Sequence, residues 1–339
     1  MKKTLLFGEP MALLLADTPG ALECVEHFTR RMSGAEVNVA IGLTRLGFPV
    51  EYLTRLGDDP FGHYIEQALK DNGIGTNLLT YDTVYRTGIQ LKEYVEDGHD
   101  PAAPYYRKGS AASHLSAQEI DALDLEEIGL VHVTGIPPAL SKEAREATYR
   151  LMERAREVQI PVTFDPNLRP ALWENGETMR NVLNDLANYA DVVLPGIGEC
   201  EILAGTTDKE KAADFYHQKG AALVVIKDGK NGAYVSEKKE NGEVVRDMIP
   251  GYPVKKVVDT VGAGDGFAVG VLSGLLKGLP VTECAKRGNA IGSIQVQHRG
   301  DNEGLPTEEI LQSYMAGIYR NKENRKRKNE YILDFDGTD

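Results

Sequence analysis

Short apolar strands alternate with amphipathic helices along most of this chain, and this alternation restricts the possible folds more than any other feature of the sequence. Residues 50–55 (VEYLTR) have the pattern of a strand and precede an amphipathic helix over residues 61–72. The same order recurs at residues 130–134, which precede a helix over residues 141–158 with Ser141 as its N-cap. Strands that alternate with helices in this way predict βαβ units and a mainly parallel sheet.

Three further strands fit the interior of such a sheet. They are expected at residues 161–165, 192–195 and 223–227. The last of these, LVVIK, is apolar on both faces, as a strand between two layers of helices must be. The sequence therefore predicts an α/β fold in which helices cover both faces of a mainly parallel central sheet.

Two stretches, residues 12–32 and 87–108, interrupt the alternation. Their polar and apolar residues alternate as in hairpin strands rather than as in βαβ units. Although they are separated in sequence, we expect them to pair in space as a small antiparallel sheet. Such a sheet would form a lid over the main domain.

Length and charge restrict the domain count and the class of partner. At 339 residues the chain suits two domains, or one large domain with an appendage. We expect one domain over residues 1–320, lid included, and a solvated C-terminal tail over residues 321–339 with a basic run at 322–328. The net charge of −13 argues against DNA or RNA as the main partner, because phosphate binding needs a basic face.

The N-terminus and the cysteines both favour a cytoplasmic protein. The start resembles a secretion signal, but Glu9 and Pro10 interrupt its apolar stretch, so we expect a buried strand over residues 4–8 instead. No apolar run reaches the ~18–20 residues needed to span a bilayer. The three cysteines have neither CxxC nor metal-type spacing, which fits a reducing compartment; they are Cys24, Cys200 and Cys284.

The stretch DTVGAGDG, residues 259–266, carries the strongest chemical signal and precedes an apolar helix expected over residues 267–276. Glycines before a helix N-terminus let backbone N–H groups converge on an anion, and the helix dipole adds about half a positive charge. Because a carboxylate there would repel phosphate, Asp265 is better interpreted as a general base that takes a proton from an attacking hydroxyl. The predicted anion cradle is Gly262, Ala263 and Gly264. The alternative is an ordinary helix entry with Asp265 as its N-cap.

DTVGAGD resembles the C-terminal signature of the ribokinase-like, phosphofructokinase-B-type carbohydrate kinases. Residues 33–47 (SGAEVNVAIGLTRLG) and 57–62 (GDDPFG) resemble the N-terminal signature of the same family. The resemblance extends over about residues 4–310. It implies a ribokinase-like α/β fold with a small β lid, and a kinase that uses ATP and Mg²⁺.

Residues 334–339, DFDGTD, copy the nucleophile motif of haloacid-dehalogenase phosphatases. That motif must end a first strand and precede a whole domain, which is not its position here, so we interpret the match as coincidence.

The resemblance implies that the N-terminal signature lines the sugar pocket. Gly34 and Asn38 match positions where a backbone and an amide side chain meet substrate hydroxyls. Glycine lets a ligand touch backbone, and an amide both donates and accepts hydrogen bonds. Helix entry and helix packing are the alternative explanations for these two residues.

Residues 105–113 (YYRKGSAAS) and 165–169 (DPNLR) resemble the 2-keto-3-deoxygluconate kinases of that family more than its ribokinases. The resemblance implies that Arg107 and Arg169 converge on the carboxylate of a sugar acid, with Tyr105 beside the sugar chain. A guanidinium fork binds a carboxylate well, whereas a neutral sugar needs no cation. The alternatives are a solvated lid charge for the first arginine and a surface ion pair for the second.

One position departs from the pattern of those kinases: Gln90 stands where they can offer a lid tyrosine, and we expect it to contact the substrate. Fructokinase-type sequences also carry a DPN-x-R stretch, so a neutral-sugar kinase of the same family remains open. A non-catalytic sugar-binding sensor is a further alternative, which the intact GAGD sequence argues against.

The residues predicted to bind ATP rest on the same resemblance. KDGKNGA, residues 227–233, resembles the family's strand and loop beside the ATP phosphates and implies roles for Lys227, Gly229 and Gly232. A strand-end charge is the alternative for the lysine. Asn289 matches a helix that packs near adenine.

The resemblance also implies a magnesium contact and an oligomer. PGIGE, residues 195–199, stands where the family has Pro-Asn-x-x-Glu; Gly196 replaces the asparagine and Glu199 is retained. We expect Glu199 to meet Mg²⁺ indirectly, through water. Exposed lid strands are paired edge to edge in many relatives, so we expect a homo-oligomer formed through the lid.

The combined expectation is ATP-dependent phosphorylation of the terminal hydroxyl of a sugar acid.

Overall fold

A computed structural model describes residues 1–95 and 101–317. The predicted tail over residues 321–339, with its basic run and the DFDGTD copy, lies outside the described residues, as do residues 96–100 of the predicted lid. None of the described helices is both long and apolar enough to cross a membrane.

Strands and helices alternate through the described residues as the sequence predicts. The strands are β1 (Lys3–Phe7), β2 (Met11–Ala16), β3 (Phe28–Ser33), β4 (Val50–Gly57), β5 (Leu79–Asp82), β6 (Ile89–Lys92), β7 (Tyr105–Tyr106), β8 (Ile128–Thr134), β9 (Val162–Asp165), β10 (Val192–Val193), β11 (Leu223–Lys227), β12 (Ala233–Lys238) and β13 (Val244–Ile249). The α-helices are α1 (Ala35–Arg45), α2 (Pro60–Asp71), α3 (Ala117–Asp121), α4 (Pro137–Leu140), α5 (Lys142–Glu157), α6 (Gly176–Leu186), α7 (Ile197–Ala204), α8 (Lys209–Gln218), α9 (Ala263–Leu276), α10 (Val281–Gln295) and α11 (Glu308–Met315).

The main sheet has nine strands in the order β13-β12-β11-β10-β9-β8-β1-β4-β5. From β11 to β5 every neighbouring pair is parallel, whereas the two pairs at the other edge, β11–β12 and β12–β13, are antiparallel. Successive β1 residues point to opposite faces: Leu6 belongs to one hydrophobic cluster, and Leu5 and Phe7 belong to the other. Helices α1, α9 and α10 contribute to the first cluster and α5, α6 and α8 to the second. The predicted α/β fold, with helices on both faces, is confirmed.

The small sheet uses the predicted segments, but its pairing differs from the prediction in one place. Its strand order is β3-β2-β6-β7. The outer pairs β2–β3 and β6–β7 are antiparallel, whereas the central pair β2–β6 is parallel. The chain between β2 and β6 passes through β4 and α2 of the main domain, and so long a crossover lets the second segment return in the same direction.

Helix α9 begins at Ala263, four residues before the predicted start at residue 267. Gly262 is its N-cap and has the left-handed φ of 77°, a conformation that glycine adopts without steric cost. Asp265 therefore lies in the first turn of the helix and not ahead of it. The alternative prediction, in which Asp265 is the N-cap, is wrong.

Close packing of two helices fixes the direction of α9. Its glycines at positions 266, 270 and 274 recur every four residues and so lie on one face, which packs against α10. A Cβ added at Gly270 would lie 2.3 Å from the backbone nitrogen of Gly288 and 2.4 Å from the carbonyl carbon of Arg287. The backbones of α9 and α10 thus leave no room for a methyl group at this position.

We predict that Gly270→Ala destabilises the protein by roughly 1–3 kcal/mol, because overpacking against backbone forces the two helices apart. Urea unfolding measures the change. Gly176→Ala is the matched control, since a Cβ there meets no heavy atom within 4 Å, and its unfolding midpoint should stay close to the wild-type value. Equal midpoints for Gly270→Ala and the wild type would contradict the packing argument.

Candidate active site

A cavity of about 470 Å³ lies at the edge of the main sheet where several parallel strands end. Asp165 is the last residue of β9, Lys227 is the last residue of β11, and Glu9 follows the end of β1 by two residues. The sequence-predicted residues that line the cavity are Gly34, Asn38, Gln90, Tyr105, Arg107, Arg169, Glu199, Lys227, Gly262, Gly264 and Asp265. The carboxyl ends of parallel strands are where α/β sheets hold ligands, and the structure brings most of the predicted site together there.

Asp265 is buried in the first turn of α9. Its Oδ2 accepts a hydrogen bond from Nδ2 of Asn38, at 2.8 Å. Burial raises the pKa of Asp265 to about 6, although the Asn38 hydrogen bond and the charge of Arg169 act in the opposite direction. A carboxylate with this pKa is ionised at neutral pH and is still a stronger base than an exposed aspartate.

Asn38 has protein partners at both ends of its amide. While Nδ2 donates to Asp265, Oδ1 accepts from Nδ2 of Asn302, at 3.1 Å. The sequence-based expectation gave Asn38 a substrate contact; the structure adds that this amide orients the carboxylate of Asp265.

A second amide near Asp265 was not predicted. Nδ2 of Asn167 lies 3.5 Å from Oδ1 of Asp265. Asn167 has a φ of 40°, and its backbone N–H donates to Oδ1 of Asp165, at 3.1 Å. The available signal was the DPN stretch at residues 165–167, because Asp and Asn favour such tight turns.

The amino end of α9, where the sequence predicts an anion cradle, is open at Gly264. Lys227 Nζ lies 3.9 Å from the point where a Cβ on Gly264 would stand, and apart from the nearby backbone of α9 itself no other described heavy atom lies within 4 Å of that point. The N–H of Ala263 is partly engaged, since it donates to the carbonyl of Thr260 at 3.3 Å. The open side of the cradle is therefore at Gly264, next to a cation.

Lys227 is more than a strand-end charge. Its Nζ lies 2.6 Å from Oδ2 of the buried Asp165. Burial alone would lower the pKa of Lys227, but the attraction of Asp165 and Glu199 outweighs this and raises it. Lys227 therefore stays charged beside the cradle.

Glu199 closes the amino end of α7. Its Oε2 accepts from the N–H of Gly196 at 2.6 Å, and its Oε1 accepts from the N–H of Leu168 at 2.8 Å. Burial raises the pKa of Glu199, and the charge of Lys227 opposes the rise. In residues 1–95 and 101–317, no group of three or more His, Cys, Asp and Glu side chains is arranged to hold a metal ion.

Arg107 forms a buried ion pair, so the alternative reading as a solvated lid charge is wrong. Its Nε lies 2.6 Å and its Nη2 lies 2.5 Å from Oε2 of Glu9. The side chains are 8% and 1% exposed. The ring centroid of the half-exposed Tyr105 lies 5.6 Å from the guanidinium carbon of Arg107. Arg169 is exposed and donates from Nη1 to the carbonyl of Leu168, at 2.9 Å.

Sequence reasoning missed several polar residues that line the cavity, notably Glu9, Glu36 and Asp301. Oε1 of Glu36 accepts a hydrogen bond from Oγ1 of Thr134, and burial raises the pKa of Glu36 to about 7. Oγ of Ser33 lies 2.8 Å from both Oε1 of Gln90 and Oδ2 of Asp301. Glu36 stands within the N-terminal signature, which was the one available signal; nothing local marks the other two.

Three predicted nucleotide contacts do not line the cavity: Gly229, Gly232 and Asn289. Gly232 passes so close to the backbone that a Cβ there would lie 2.0 Å from the carbonyl oxygen of Ile249. Nδ2 of Asn289 donates to the carbonyls of Ile249 and Pro250, at 3.1 and 3.2 Å. Their nucleotide contacts stay predictions.

Comparison with known proteins identifies the family of this chain. The family model for pfkB family carbohydrate kinases matches residues 1–308. A 2-dehydro-3-deoxygluconokinase of Bacillus subtilis (strain 168) is 46% identical over 311 residues, which are 91% of this chain and 94% of the relative. A 2-dehydro-3-deoxygluconokinase of Thermoproteus tenax is 34% identical over 316 residues, which are 90% of this chain and 93% of the relative.

The crystal structure of the PfkB protein from Polaromonas sp. JS666 superposes with a TM-score of 0.83 and 44% identity, covering 92% of this chain and 100% of that chain. Fold, family model and relatives thus agree over most of the sequence, and the family predicted from the two signatures is confirmed. The chain belongs to the pfkB family of carbohydrate kinases.

Proposed function

We propose that this chain phosphorylates 2-dehydro-3-deoxygluconate (2-keto-3-deoxygluconate) on its terminal hydroxyl, with ATP as the phosphoryl donor. The observation that carries the proposal is the buried carboxylate of Asp265, held in the first turn of α9 beside the cradle at Gly264. The similarity to relatives of that name, at 46% and 34% identity, supports the choice of substrate.

The amino end of α9 fits a phosphoryl group. At Gly264 no side chain fills the approach, the helix dipole favours an anion, and Lys227 supplies a nearby positive charge. Glu199 fits an indirect metal contact, because each of its oxygens accepts one backbone N–H and keeps further lone pairs for water. Mg²⁺, when bound, would neutralise phosphate charge.

In the proposed mechanism Asp265 accepts the proton of the terminal hydroxyl. The oxygen attacks the γ-phosphorus in line, the bond from that phosphorus to the β-phosphate oxygen breaks, and ADP leaves. Asn38 and Asn167 hold the carboxylate by donating to different oxygens. Lys227 and the amide of Gly264 stabilise the negative charge on the transferring group.

Within the described residues, Arg107 has an edge that Glu9 does not engage, and we propose that this edge binds a substrate carboxylate. A guanidinium has five N–H donors in a planar fork, and Glu9 engages only the side formed by Nε and Nη2. The remaining edge, with Nη1, can pair with a sugar-acid carboxylate, while Arg169 lines the same cavity.

A neutral-sugar kinase of the same family is the second candidate function. The observation that favours it is the Glu9–Arg107 pair, because the charge of Arg107 is already compensated within the protein. The two candidates therefore differ in what Arg107 contributes to substrate discrimination.

We also propose that the protein works in the cytoplasm as a homo-oligomer formed through the lid. The cysteines Cys24, Cys200 and Cys284 are all free, which suits a reducing compartment. Strands β3 and β7 are the edges of the lid sheet, and Tyr105 and Tyr106 of β7 are 47% and 64% exposed. Such edges can pair with another copy.

We predict that Asp265→Asn lowers kcat by about 10²–10⁴, because an amide cannot accept the hydroxyl proton. Nucleotide binding, measured by calorimetry without sugar, should stay within about threefold of the wild-type value. Asp214→Asn, at a partly exposed surface ion pair, is the matched control and should leave both quantities unchanged. Substantial turnover in Asp265→Asn would rule out Asp265 as the base.

The expected pH dependence of kcat/KM follows from the pKa of Asp265, which burial raises to about 6. The base must be ionised, so kcat/KM should be flat above pH 7 and fall about tenfold per pH unit well below pH 6. Arg169 lowers the pKa of Asp265, so Arg169→Ala should move this acid limb to higher pH. A profile that stays flat down to pH 4.5, or a limb that moves down in Arg169→Ala, would disagree with the assignment.

We predict that Arg107→Gln lowers kcat/KM for 2-dehydro-3-deoxygluconate by about 10–100-fold, the loss expected for a charge-assisted contact. Fructose use should change less than about threefold. Because the single variant leaves Glu9 buried and unpaired, the double variant Arg107→Gln/Glu9→Gln is needed as a charge-neutral partner and should show the same selective loss. Equal losses on both sugars would favour the neutral-sugar candidate.

A further inference from the structure

We propose that Lys92 is a positioning residue of the phosphate site: its ammonium group, carried on the lid strand β6, compensates two carboxylates that flank the anion cradle. The inference rests on the proposed function, because it takes the phosphates of ATP as the ligand of the cradle. Neither the signatures nor the predicted contacts point to Lys92.

Lys92 is a buried cation between two acids. Its side chain is 4% exposed, and its Nζ lies 2.9 Å from Oδ2 of Asp259 and 2.9 Å from Oδ1 of Asp301. Those two carboxylates are 10% and 4% exposed. A lysine this deeply buried requires such partners, and the partners equally require the lysine.

Asp259 and Asp301 both belong to or contact the loop that forms the proposed cradle. Asp259 opens the DTVGAGD loop, and its Oδ1 accepts the N–H of Val261, at 3.0 Å. A Cβ on Gly262 would lie only 2.1 Å from the carbonyl oxygen of Asp301, so the residue-301 backbone packs directly on the loop. The loop that receives the transferring phosphate is thus bordered by two negative charges.

The charge balance explains why a cation is needed here. With Lys92 the cluster carries one positive and two negative charges; without it, two uncompensated carboxylates would face a polyanion through a poorly screening medium. The lid supplies this cation, and a second lid strand reaches the same acid, because Oγ of Ser33, the last residue of β3, lies 2.8 Å from Oδ2 of Asp301. When the lid packs on the main domain, Lys92 therefore reduces the negative charge beside the phosphate site.

Lys92→Met tests the proposal, with binding of ATP and of adenosine measured by calorimetry in the absence of sugar. We expect ATP to bind about 10–100-fold more weakly, the effect of one unit charge in a partly buried site, and adenosine to change less than about threefold. A general loss of structure would weaken the binding of both ligands alike. Lys3→Met is the matched control, because Lys3 also pairs with a buried carboxylate, Glu51 at 2.7 Å, at the opposite end of β1.

Two further variants keep the test decisive. Lys92→Met/Asp301→Asn has the same net charge as the wild type and should regain ATP affinity to within about fivefold. If Lys92→Met does not fold, Asp301→Asn decides alone: it should bind ATP as tightly as the wild type or more tightly. Three results would each overturn the proposal: equal losses of affinity for ATP and adenosine in Lys92→Met, no recovery of ATP affinity in the double variant, or weaker ATP binding in Asp301→Asn. A wild-type protein that binds no ATP would instead overturn the proposed function.

Discussion

The carboxylate of Asp265 is buried where the helix dipole of α9 and Lys227 favour negative charge, and the other parts of the site are arranged around it. Burial raises the pKa of Asp265 to about 6, and the hydrogen bond from Asn38 and the positive charge of Arg169 oppose that rise. Asn167 lies within reach of the other carboxylate oxygen. The direction of α9 is fixed in turn by backbone contact with α10. The position of the proposed base thus depends on helix packing away from the site.

Charge compensation within the protein is the second theme of the site. Lys227 pairs with Asp165, Arg107 pairs with Glu9, and Lys92 lies between two aspartates. From a net charge of −13 one expects the site to supply its own positive potential through arginines and a helix end. In the structure Arg107 is already paired with Glu9, whereas Arg169 is exposed and donates to the carbonyl of Leu168. The proposed anion site therefore relies on oriented N–H groups as much as on net charge.

The sequence was informative wherever the signal was local. Strand and helix alternation predicted the main sheet. The DTVGAGD signature predicted Asp265 and Gly264 at the site, and the KDGKNGA stretch predicted Lys227; all three line one cavity. The missed residues depend on contacts between distant parts of the chain: Glu9 pairs with Arg107 98 positions away, and Ser33 bonds Asp301 268 positions away. No local pattern distinguishes such residues from ordinary surface acids.

Two errors of detail have equally physical causes. The start of α9 was expected at residue 267, since glycine disfavours helix, yet a left-handed Gly262 caps the helix and residues 263–265 form its first turn. The parallel pairing of β2 with β6 depends on the path of the chain through the main domain, which strand patterns alone do not encode.

The most direct measurement for the central claim is ADP release by the wild-type protein with ATP, Mg²⁺ and a panel of acceptors: 2-dehydro-3-deoxygluconate, its galactonate epimer, gluconate, fructose and ribose. The account predicts that a 2-dehydro-3-deoxy sugar acid gives the highest kcat/KM and that phosphate is attached to its terminal oxygen. A preference for fructose or ribose would contradict the proposed substrate, and no acceptor-dependent ADP release with any of them would contradict the proposed activity.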